Sequence, residues 1–371
     1  MKAELYSKSH SLVNLSSSIL KHYGITPFHN GIPEIDELLK KSNKHNVCII
    51  LFDGLGKNIK HSYLNEKDSL IRHEFIDITS VFPPTTVAAT TAFLSAKYPI
   101  ETGWIGWKQR FNDLNMIIEM FNNNIAYSYK PLNQDISYQR CGYKNIIDLI
   151  NETSKYKAYK IFPSNIDKEG AKDVKHFFEL VDYKVKGDNQ FTYAYWAEPD
   201  HTIHEKGTKS KIVKNMVKEI NKLTAKLAKN NPQTLFLIIA DHGIIDCEYL
   251  NLEEHEILHS MLECKPSIES RAMMLKIKND NVEEFINLFK KHYDENEFLI
   301  YYKTDLINNE IFGCGAPHKE FENFLGDLLI VSKTNKTFRV KDDYNEYHNT
   351  LAEHAGATEE EKIISVSIYN K

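Results

Sequence analysis

The stretch FIDITSVFPPTTVAATTAFLSAKYPIETG, which runs from Phe75 to Gly103, contains the transition on which the fold prediction depends. A run rich in β-branched and aromatic residues, 75–81, ends at two prolines, and proline cannot continue a central strand. A run compatible with a helix follows from about Val87, where Ser or Thr is a common N-cap residue. Thr85 and Thr86 are therefore predicted to lie between a strand and a helix N-terminus, whose free N–H groups and dipole favour a phosphate or an alkoxide. Taken alone, the stretch leaves open the simpler interpretation that one threonine only caps the helix.

Three further runs are predicted to be strands of a mostly parallel sheet, because two are continuously apolar and the third alternates aromatic residues. They are VCIILF (Val47–Phe52), FTYAYW (Phe191–Trp196) and TLFLIIA (Thr234–Ala240). Acidic residues follow all three, in the segments Asp53-Gly54, Glu198-Pro199-Asp200 and Asp241-His242-Gly243. Ligands of open α/β sheets bind at the carboxyl ends of the strands, although an Asp-Gly pair alone is most often a turn.

Together, the three carboxylates indicate a metal site. Asp53, Asp200 and Asp241 would repel one another strongly at one edge of a sheet unless cations were bound between them. His204 and His242 lie close to two of these aspartates in the sequence. Carboxylate and imidazole ligands suit Zn²⁺, with Mn²⁺ possible. The pattern therefore predicts divalent cations at the carboxyl ends of these strands.

A late histidine remains ambiguous on the sequence alone. His354 lies in a Gly/Ala-rich loop before the last predicted strand, and such an isolated histidine is more often structural than a ligand. His201 follows Asp200 directly and is interpreted as a surface or supporting residue.

Composition narrows the class of protein. The 371 residues carry a net charge of −5 with no long block of one sign, so we expect no binding to a nucleic-acid polymer. The apolar runs are only as long as strands, and the N-terminus lacks the apolar segment of a signal peptide, so we expect no membrane association. Five scattered cysteines fit a reducing compartment, and we predict a cytoplasmic protein.

The rest of the chain is predicted to extend this sheet. A helix is expected over Lys209–Lys229, because its apolar residues recur at helical spacing. Residues 267–310 alternate strands and helices and are expected to continue the same sheet. Residues 108–190 are less regular and are predicted to form an insertion, or cap, that covers the site. Residues 1–45 are assigned no chemistry.

The motifs, taken in order, resemble the alkaline phosphatase superfamily, and within it the type I phosphodiesterase/nucleotide pyrophosphatase branch. They are the strand ending in Asp53-Gly54, FPPTT at Phe82–Thr86, EPDxxxH at Glu198–His204, Asp241-His242-Gly243, and Glu353-His354-Ala355-Gly356. The resemblance covers about 47–107 and 191–369. It implies one catalytic domain over 1–371, built as a three-layer α/β/α sandwich with a mostly parallel central sheet and a small inserted cap at about 108–190.

The resemblance also implies roles for individual residues. One cation would be held by Asp53, Thr86, Asp241 and His242, and a second by Asp200, His204 and His354. Thr86 matches the position of the nucleophile in the family pattern, with Thr85 as the alternative. The implied enzyme is a hydrolase with two divalent cations, most simply Zn²⁺, that cleaves small-molecule phosphate esters through a phosphothreonine intermediate.

Several functions remain compatible with these motifs. The same core could serve a phosphodiesterase/nucleotide pyrophosphatase, a phosphomonoesterase, a phosphonate hydrolase or a phosphomutase relative. A sulfatase is disfavoured, because Thr86 lacks the sequence context that sulfatases require. A non-catalytic metal-binding scaffold is a further alternative, although such proteins tend to lose ligands. The oligomeric state is not predicted.

Overall fold

The computed structural model describes residues 4–42, 44–348 and 350–371, which form two large sheets and the helices packed against them. The helices are α1 (Leu12–His22), α2 (Pro33–Ser42), α3 (Lys57–Tyr63), α4 (Ser69–Arg72), α5 (Thr86–Ser95), α6 (Pro99–Thr102), α7 (Ile136–Cys141), α8 (Ile146–Glu152), α9 (Val174–Lys184), α10 (Asp200–Lys206), α11 (Lys211–Asn230), α12 (Glu256–Ser260), α13 (Val282–His292), α14 (Lys303–Asn308) and α15 (Glu359–Lys362). Short 3-10 helices cover Leu252–Glu254, Lys278–Asp280, Glu295–Glu297 and Phe321–Phe324.

The strands follow the same chain order. They are β1 (Val47–Phe52), β2 (Glu74–Thr79), β3 (Lys108–Phe111), β4 (Met116–Glu119), β5 (Asn124–Ile125), β6 (Lys130–Pro131), β7 (Lys157–Ile161), β8 (Gln190–Trp196), β9 (Leu235–Ile239), β10 (Ile245–Asp246), β11 (Glu248–Asn251), β12 (Ser267–Ile268), β13 (Ala272–Leu275), β14 (Phe298–Tyr302), β15 (Leu328–Ser332), β16 (Lys336–Arg339), β17 (Ala352–Glu353) and β18 (Ile363–Tyr369).

The central sheet has six strands in the order β2-β18-β9-β1-β8-β7. Strands β7, β8, β1 and β9 pair in parallel, whereas β18 is antiparallel to both β9 and β2. Strand β2 therefore runs in the same direction as β1, and β18 alone is reversed. All six residues of β1 are buried, as its continuous apolar run predicts for a strand covered on both faces. The carboxyl ends of β1, β2, β8 and β9 consequently lie at one edge.

Two groups of helices pack against this sheet. One group contains α1, α2, α5, α6 and α8, which contact one another, and α8 also contacts β7 and β8. The other contains α3, α4, α9, α10 and α11, and its members contact β7, β8 and β18. The predicted α/β fold with helical layers and a mostly parallel central sheet is confirmed.

The second sheet has eight antiparallel strands in the order β14-β15-β13-β12-β3-β4-β5-β6. Alternate residues of β13 face different cores, since Ala272 and Met274 join the main cluster while Met273 and Leu275 pack with α13. The prediction that 267–310 extends the central sheet is therefore wrong. Short apolar runs predict strands but do not specify their partners, because pairing depends on contacts that are distant in the sequence.

The predicted insertion at 108–190 divides between the two sheets. Strands β3 to β6 belong to the second sheet, whereas β7 is the edge strand of the central sheet, with α8 and α9 packed on it. Whether the first part covers the site stays a prediction.

Across the described ranges 4–42, 44–348 and 350–371, none of the helices combines the length and the apolar character that crossing a bilayer requires.

Candidate functional site

The site lies where β1 and its two neighbours end. Strand β1 pairs in parallel with β8 on one side and β9 on the other, so Asp53, Asp200 and Asp241 follow adjacent strands. The Asp200 N–H donates to the Asp53 carbonyl at 3.1 Å, which joins the two loops directly. Gly54 has φ of +67°, and a Cβ there would lie 2.7 Å from Asp200 Oδ1. The Asp-Gly pair is therefore required by this close approach rather than by a simple surface turn.

The first donor group consists of Asp53, Asp241 and His242, whose candidate ligand atoms lie within 4.8 Å of one another. His242 Nε2 is 3.5 Å from Asp53 Oδ1 and 3.4 Å from Asp241 Oδ2. The other Asp241 oxygen accepts hydrogen bonds from the N–H groups of Gly54 (3.1 Å) and His242 (3.0 Å). These bonds fix one side of the Asp241 carboxylate and leave Oδ2 directed at His242.

Thr86 projects into this first group. Its Oγ1 lies 3.2 Å from His242 Nε2 and 3.4 Å from each carboxylate oxygen of Asp53. Thr86 is the first residue of α5, one position earlier than predicted, and Thr85 is the N-cap residue. The Thr85 hydroxyl instead donates to Glu269 Oε1 at 2.6 Å. Of the two threonines, Thr86 is the one beside the predicted ligands.

The second donor group consists of Asp200, His204 and His354, again with candidate ligand atoms within 4.8 Å. Asp200 and His204 are one turn apart on α10, and His204 Nε2 lies 3.2 Å from Asp200 Oδ2. His354 directly follows β17, which pairs with β10 just beyond the His242 loop. The rings of His354 and His242 stack at 3.9 Å, so the two donor groups are contiguous.

Three buried atoms at the site favour bound cations. Asp241 Oδ2, Asp200 Oδ1 and His354 Nδ1 have no hydrogen-bond partner among the described residues. A buried carboxylate oxygen or imidazole nitrogen without a partner is costly, and a divalent ion would satisfy it. The residues present therefore fit a metal centre, because each donor group contains a potential ligand atom that has no hydrogen-bond partner among the described residues.

The pKa values of the first group show why positive charge is needed. In the metal-free protein, burial raises the pKa of Asp53, and repulsion from Asp241 and Asp200 raises it further. Burial also raises the pKa of Asp241, although His242 acts in the opposite direction. Cations would remove this penalty, because they favour the ionised carboxylates.

The second group already contains one opposite-charge pair. Burial lowers the pKa of His204, but the Asp200 carboxylate outweighs it, and the pKa rises to about 10. Burial disfavours the ionised form of Asp200, but His204 in turn outweighs it and lowers its pKa. Burial and His242 hold the pKa of His354 well below its usual value. In the metal-free protein the protonated His204 side chain therefore supplies the positive charge that pairs with the Asp200 carboxylate.

Several neighbours of the donor groups were not predicted from the sequence. The Tyr195 hydroxyl donates to Asp53 Oδ2 from inside β8, and the Ala352 carbonyl lies 2.8 Å from His204 Nδ1. Glu269 accepts hydrogen bonds from the Thr85 hydroxyl and from the Trp107 N–H, the latter at 2.8 Å. Burial raises the pKa of Glu269 to about 7, although these two hydrogen bonds act to lower it. The alternation of strand β8 places Tyr195 toward one face, but no spacing in the sequence indicates which carboxylate it reaches.

His201 lies apart from the site. Its side chain is 73% exposed and is 3.7 Å from Glu205, one turn along α10. The structure therefore places His204, and not His201, with the donor groups.

Comparisons with known proteins agree with this geometry. The sequence profile of the family "Type I phosphodiesterase / nucleotide pyrophosphatase" matches residues 47–357. Among solved structures, murine ectonucleotide pyrophosphatase / phosphodiesterase 5 superposes with a TM-score of 0.62 at 13% identity, covering 87% of this chain and 88% of that one. Its human counterpart gives 0.61 at 14% identity, with 87% of each chain covered.

A further similar structure is an inactive threonine-to-alanine variant of the murine protein in complex with AMP. It has a TM-score of 0.60 at 14% identity and covers 87% of each chain. No curated protein matches the sequence. At these identities the solved structures establish the alkaline phosphatase-like fold, whereas the profile match establishes the family. The chain belongs to the type I phosphodiesterase/nucleotide pyrophosphatase family and is a hydrolase of that class.

Proposed function

We propose that this family member hydrolyses phosphodiester or pyrophosphate bonds of small soluble molecules, with Thr86 as the nucleophile and two divalent cations in the site. The observation that carries the proposal is the position of Thr86 Oγ1, 3.2 Å from His242 and 3.4 Å from Asp53, at the start of α5. A hydroxyl in this place has the first donor group on one side and the N–H groups of a helix N-terminus on the other.

Each donor group would hold one cation. Asp53, Thr86, Asp241 and His242 would hold the first, and Asp200, His204 and His354 the second. Mixed carboxylate and imidazole donors support Zn²⁺, with Mn²⁺ as the second choice. When bound, the cations would supply Lewis-acid stabilisation of the charge on the attacking and leaving oxygens.

The protein side chains supply the nucleophile and hold the ligands in position. The Thr86 hydroxyl gives up its proton to solvent and Oγ1 attacks phosphorus, which forms a phosphothreonine ester while the bond to the leaving oxygen breaks and that oxygen takes up a proton. Water then cleaves this ester and regenerates the Thr86 hydroxyl. Tyr195 holds the Asp53 carboxylate in place, and the Gly54 N–H holds the Asp241 carboxylate. These two ligands therefore do not need to reorganise during the reaction.

A nucleotide is the substrate class that the comparisons support. The family description includes nucleotide pyrophosphatases, and one similar structure contains AMP. We propose the cytoplasm as the compartment, because all five cysteines are free.

The test is hydrolysis by metal-stripped protein to which Zn²⁺ or Mn²⁺ is restored. We expect bis-p-nitrophenyl phosphate to be cleaved faster than p-nitrophenyl phosphate, and Asp241→Asn to remove the activity. A clear preference for the monoester would overturn the diesterase assignment. Two bound cations without turnover of either ester, or of a panel of nucleotides, would favour a non-catalytic protein.

A further inference from the structure

We propose that the buried ion pair between Arg271 and Glu361 is a positioning device for the two loops that carry His242 and His354. This inference rests on the metal-dependent function proposed above, because it assigns the pair a role in metal affinity. Neither side chain forms a hydrogen bond or ion pair with a predicted ligand side chain or with Thr86, so they are positioning residues and not catalytic ones.

The pair itself is tightly constrained. Both side chains are completely buried, and Arg271 meets the Glu361 carboxylate with two parallel contacts of 2.7 and 2.9 Å. The other guanidinium N–H groups donate to the carbonyls of Lys336 (2.7 Å) and Thr334 (2.6 Å) and to Cys247 Sγ (3.7 Å). Replacing a buried ion pair by apolar residues is often neutral or stabilising, so stability alone is a weak reason for this arrangement. The fixed two-point geometry of the pair is instead suited to holding the neighbouring loops in one orientation.

The side chain of Glu361 holds the His354 loop. Its Oε1 accepts the Gly356 N–H at 2.7 Å, and its Oε2 accepts the Thr358 hydroxyl at 2.7 Å. A Cβ at residue 356 would lie 2.6 Å from an Arg271 nitrogen and 2.8 Å from a Glu361 oxygen. The loop therefore lies directly on the ion pair, two residues after His354.

The main chain of Glu361 holds the His242 loop. Its carbonyl accepts the Gly243 N–H at 2.8 Å, and a Cβ at residue 243 would lie 2.0 Å from the carbonyl oxygen of Glu360. One residue thus contacts both histidine loops, and these belong to different donor groups. The 3.9 Å stacking of His242 on His354 shows how closely the two loops must be aligned.

Arg271 also ties this alignment to the second sheet. It directly precedes β13, and Glu269, two residues earlier, accepts the Thr85 hydroxyl beside the nucleophile. The same short turn therefore supports the histidine loops through Arg271 and the start of α5 through Glu269. This gives the second sheet a function at the site although it supplies no predicted ligand.

The test is zinc affinity of the metal-stripped double variant Arg271→Met/Glu361→Leu, measured by competition with a chromophoric chelator. Removing both charges leaves no unpaired buried ion, although the carbonyls of Lys336 and Thr334 and the Gly356 N–H lose their partners, so the fold is expected to persist with reduced stability. We expect the affinity to fall by about 10- to 100-fold, as for other residues that orient metal ligands. The melting temperature of the metal-free protein should fall because these buried hydrogen bonds are lost, and its rise on adding zinc should also be smaller than in wild type.

The matched control is Arg140→Met/Glu320→Leu. Arg140 and Glu320 also form a two-point contact, but the pair is partly exposed, Arg140 also contacts Asp113, and neither residue forms a hydrogen bond or ion pair with a histidine loop. This variant should bind zinc as wild type does. If the Arg271/Glu361 double variant does not fold, Arg271→Lys keeps the charge without the fork and should still lower zinc affinity by about 10-fold.

Zinc affinity within twofold of wild type in a folded Arg271 variant would overturn the proposal. So would equal losses in the Arg140/Glu320 control. Failure of the wild-type protein to bind zinc at all would instead overturn the proposed function, so the two failures are distinguishable.

Discussion

Oγ1 of Thr86 lies 3.2 Å from Nε2 of His242, although 156 positions separate the two residues in the sequence. The contact exists because β2 and β9 end at the same edge of the central sheet, and because α5 begins at Thr86 itself. The hydroxyl is thereby brought into the first donor group and not onto the helix surface.

Thr86→Ala should abolish turnover without removing the cations. Because the proposed nucleophile is lost while all six carboxylate and imidazole ligands remain, we expect kcat to fall by on the order of 10³-fold or more. The measurement is steady-state hydrolysis together with the zinc content of the purified protein. The adjacent variant Thr85→Ala is the comparison and should lose far less activity, since the Thr85 hydroxyl binds Glu269 and supports the start of α5 without lying among the predicted ligands. Equal losses in both variants would contradict the assignment.

His204→Asn should weaken the second cation site, whereas His201→Asn should not. Both histidines lie on α10, but His204 faces Asp200 at 3.2 Å and His201 is exposed. We expect the first variant to bind one zinc ion tightly in place of two, and the second to bind both, as measured by elemental analysis after dialysis. Two tightly bound ions in His204→Asn would show that this residue is not a ligand.

Tyr195→Phe should lower zinc affinity by about 10-fold or more, because the buried Asp53 carboxylate loses the hydrogen bond from the Tyr195 hydroxyl. The neighbouring Tyr193→Phe provides a closely matched control. Both tyrosines are buried in β8 and face the same side of the strand, but the Tyr193 hydroxyl has no hydrogen-bond partner in the described part of the chain. Its removal should leave the affinity unchanged. Chelator competition would measure both, and similar affinities in the two variants would exclude a role for the Tyr195 hydrogen bond.

Zinc binding should release protons at neutral and mildly alkaline pH. The pKa of His204 is about 10 in the metal-free protein, so this residue carries a proton that must leave before it can bind zinc. The affinity of the second site should therefore rise with pH, by about tenfold per unit for one displaced proton, until the pH reaches that pKa. Asp200, with its lowered pKa, and His354, with its lowered pKa, should contribute no proton in this range.

Calorimetric titration in buffers of different ionisation enthalpy measures this release. The heat of zinc binding should change with the buffer, and His204→Asn should reduce that dependence. Heat that does not depend on the buffer would contradict a protonated His204.

The sequence predicted well those features that depend on local pattern. Strand β1 has the predicted bounds, because a continuous apolar run is a local pattern that indicates a strand buried on both faces. Helix α11 begins at Lys211, two residues later than expected, with Ser210 as its N-cap. The six predicted carboxylate and imidazole ligands lie in two groups, and parallel pairing of β8, β1 and β9 brings the three aspartates together; their role as ligands stays a prediction.

Features that depend on distant pairing were not predictable in this way. The second sheet joins 108–131 to 267–332, and nothing in either segment specifies the other as its partner. Likewise, Arg271 and Glu361 are 90 positions apart, and Thr85 and Glu269 are 184 apart. Such residues carry no motif of their own, because their role is defined only by what they touch in the folded chain.

The stereochemical course at phosphorus tests the central claim most directly. A phosphorothioate diester of a single configuration would be hydrolysed in ¹⁸O-labelled water by the zinc-loaded enzyme, and the configuration of the product determined. Attack by Thr86 followed by attack of water involves two in-line displacements, each with inversion, so the account predicts overall retention. Inversion would mean that water attacks the substrate directly, and would contradict a phosphothreonine intermediate.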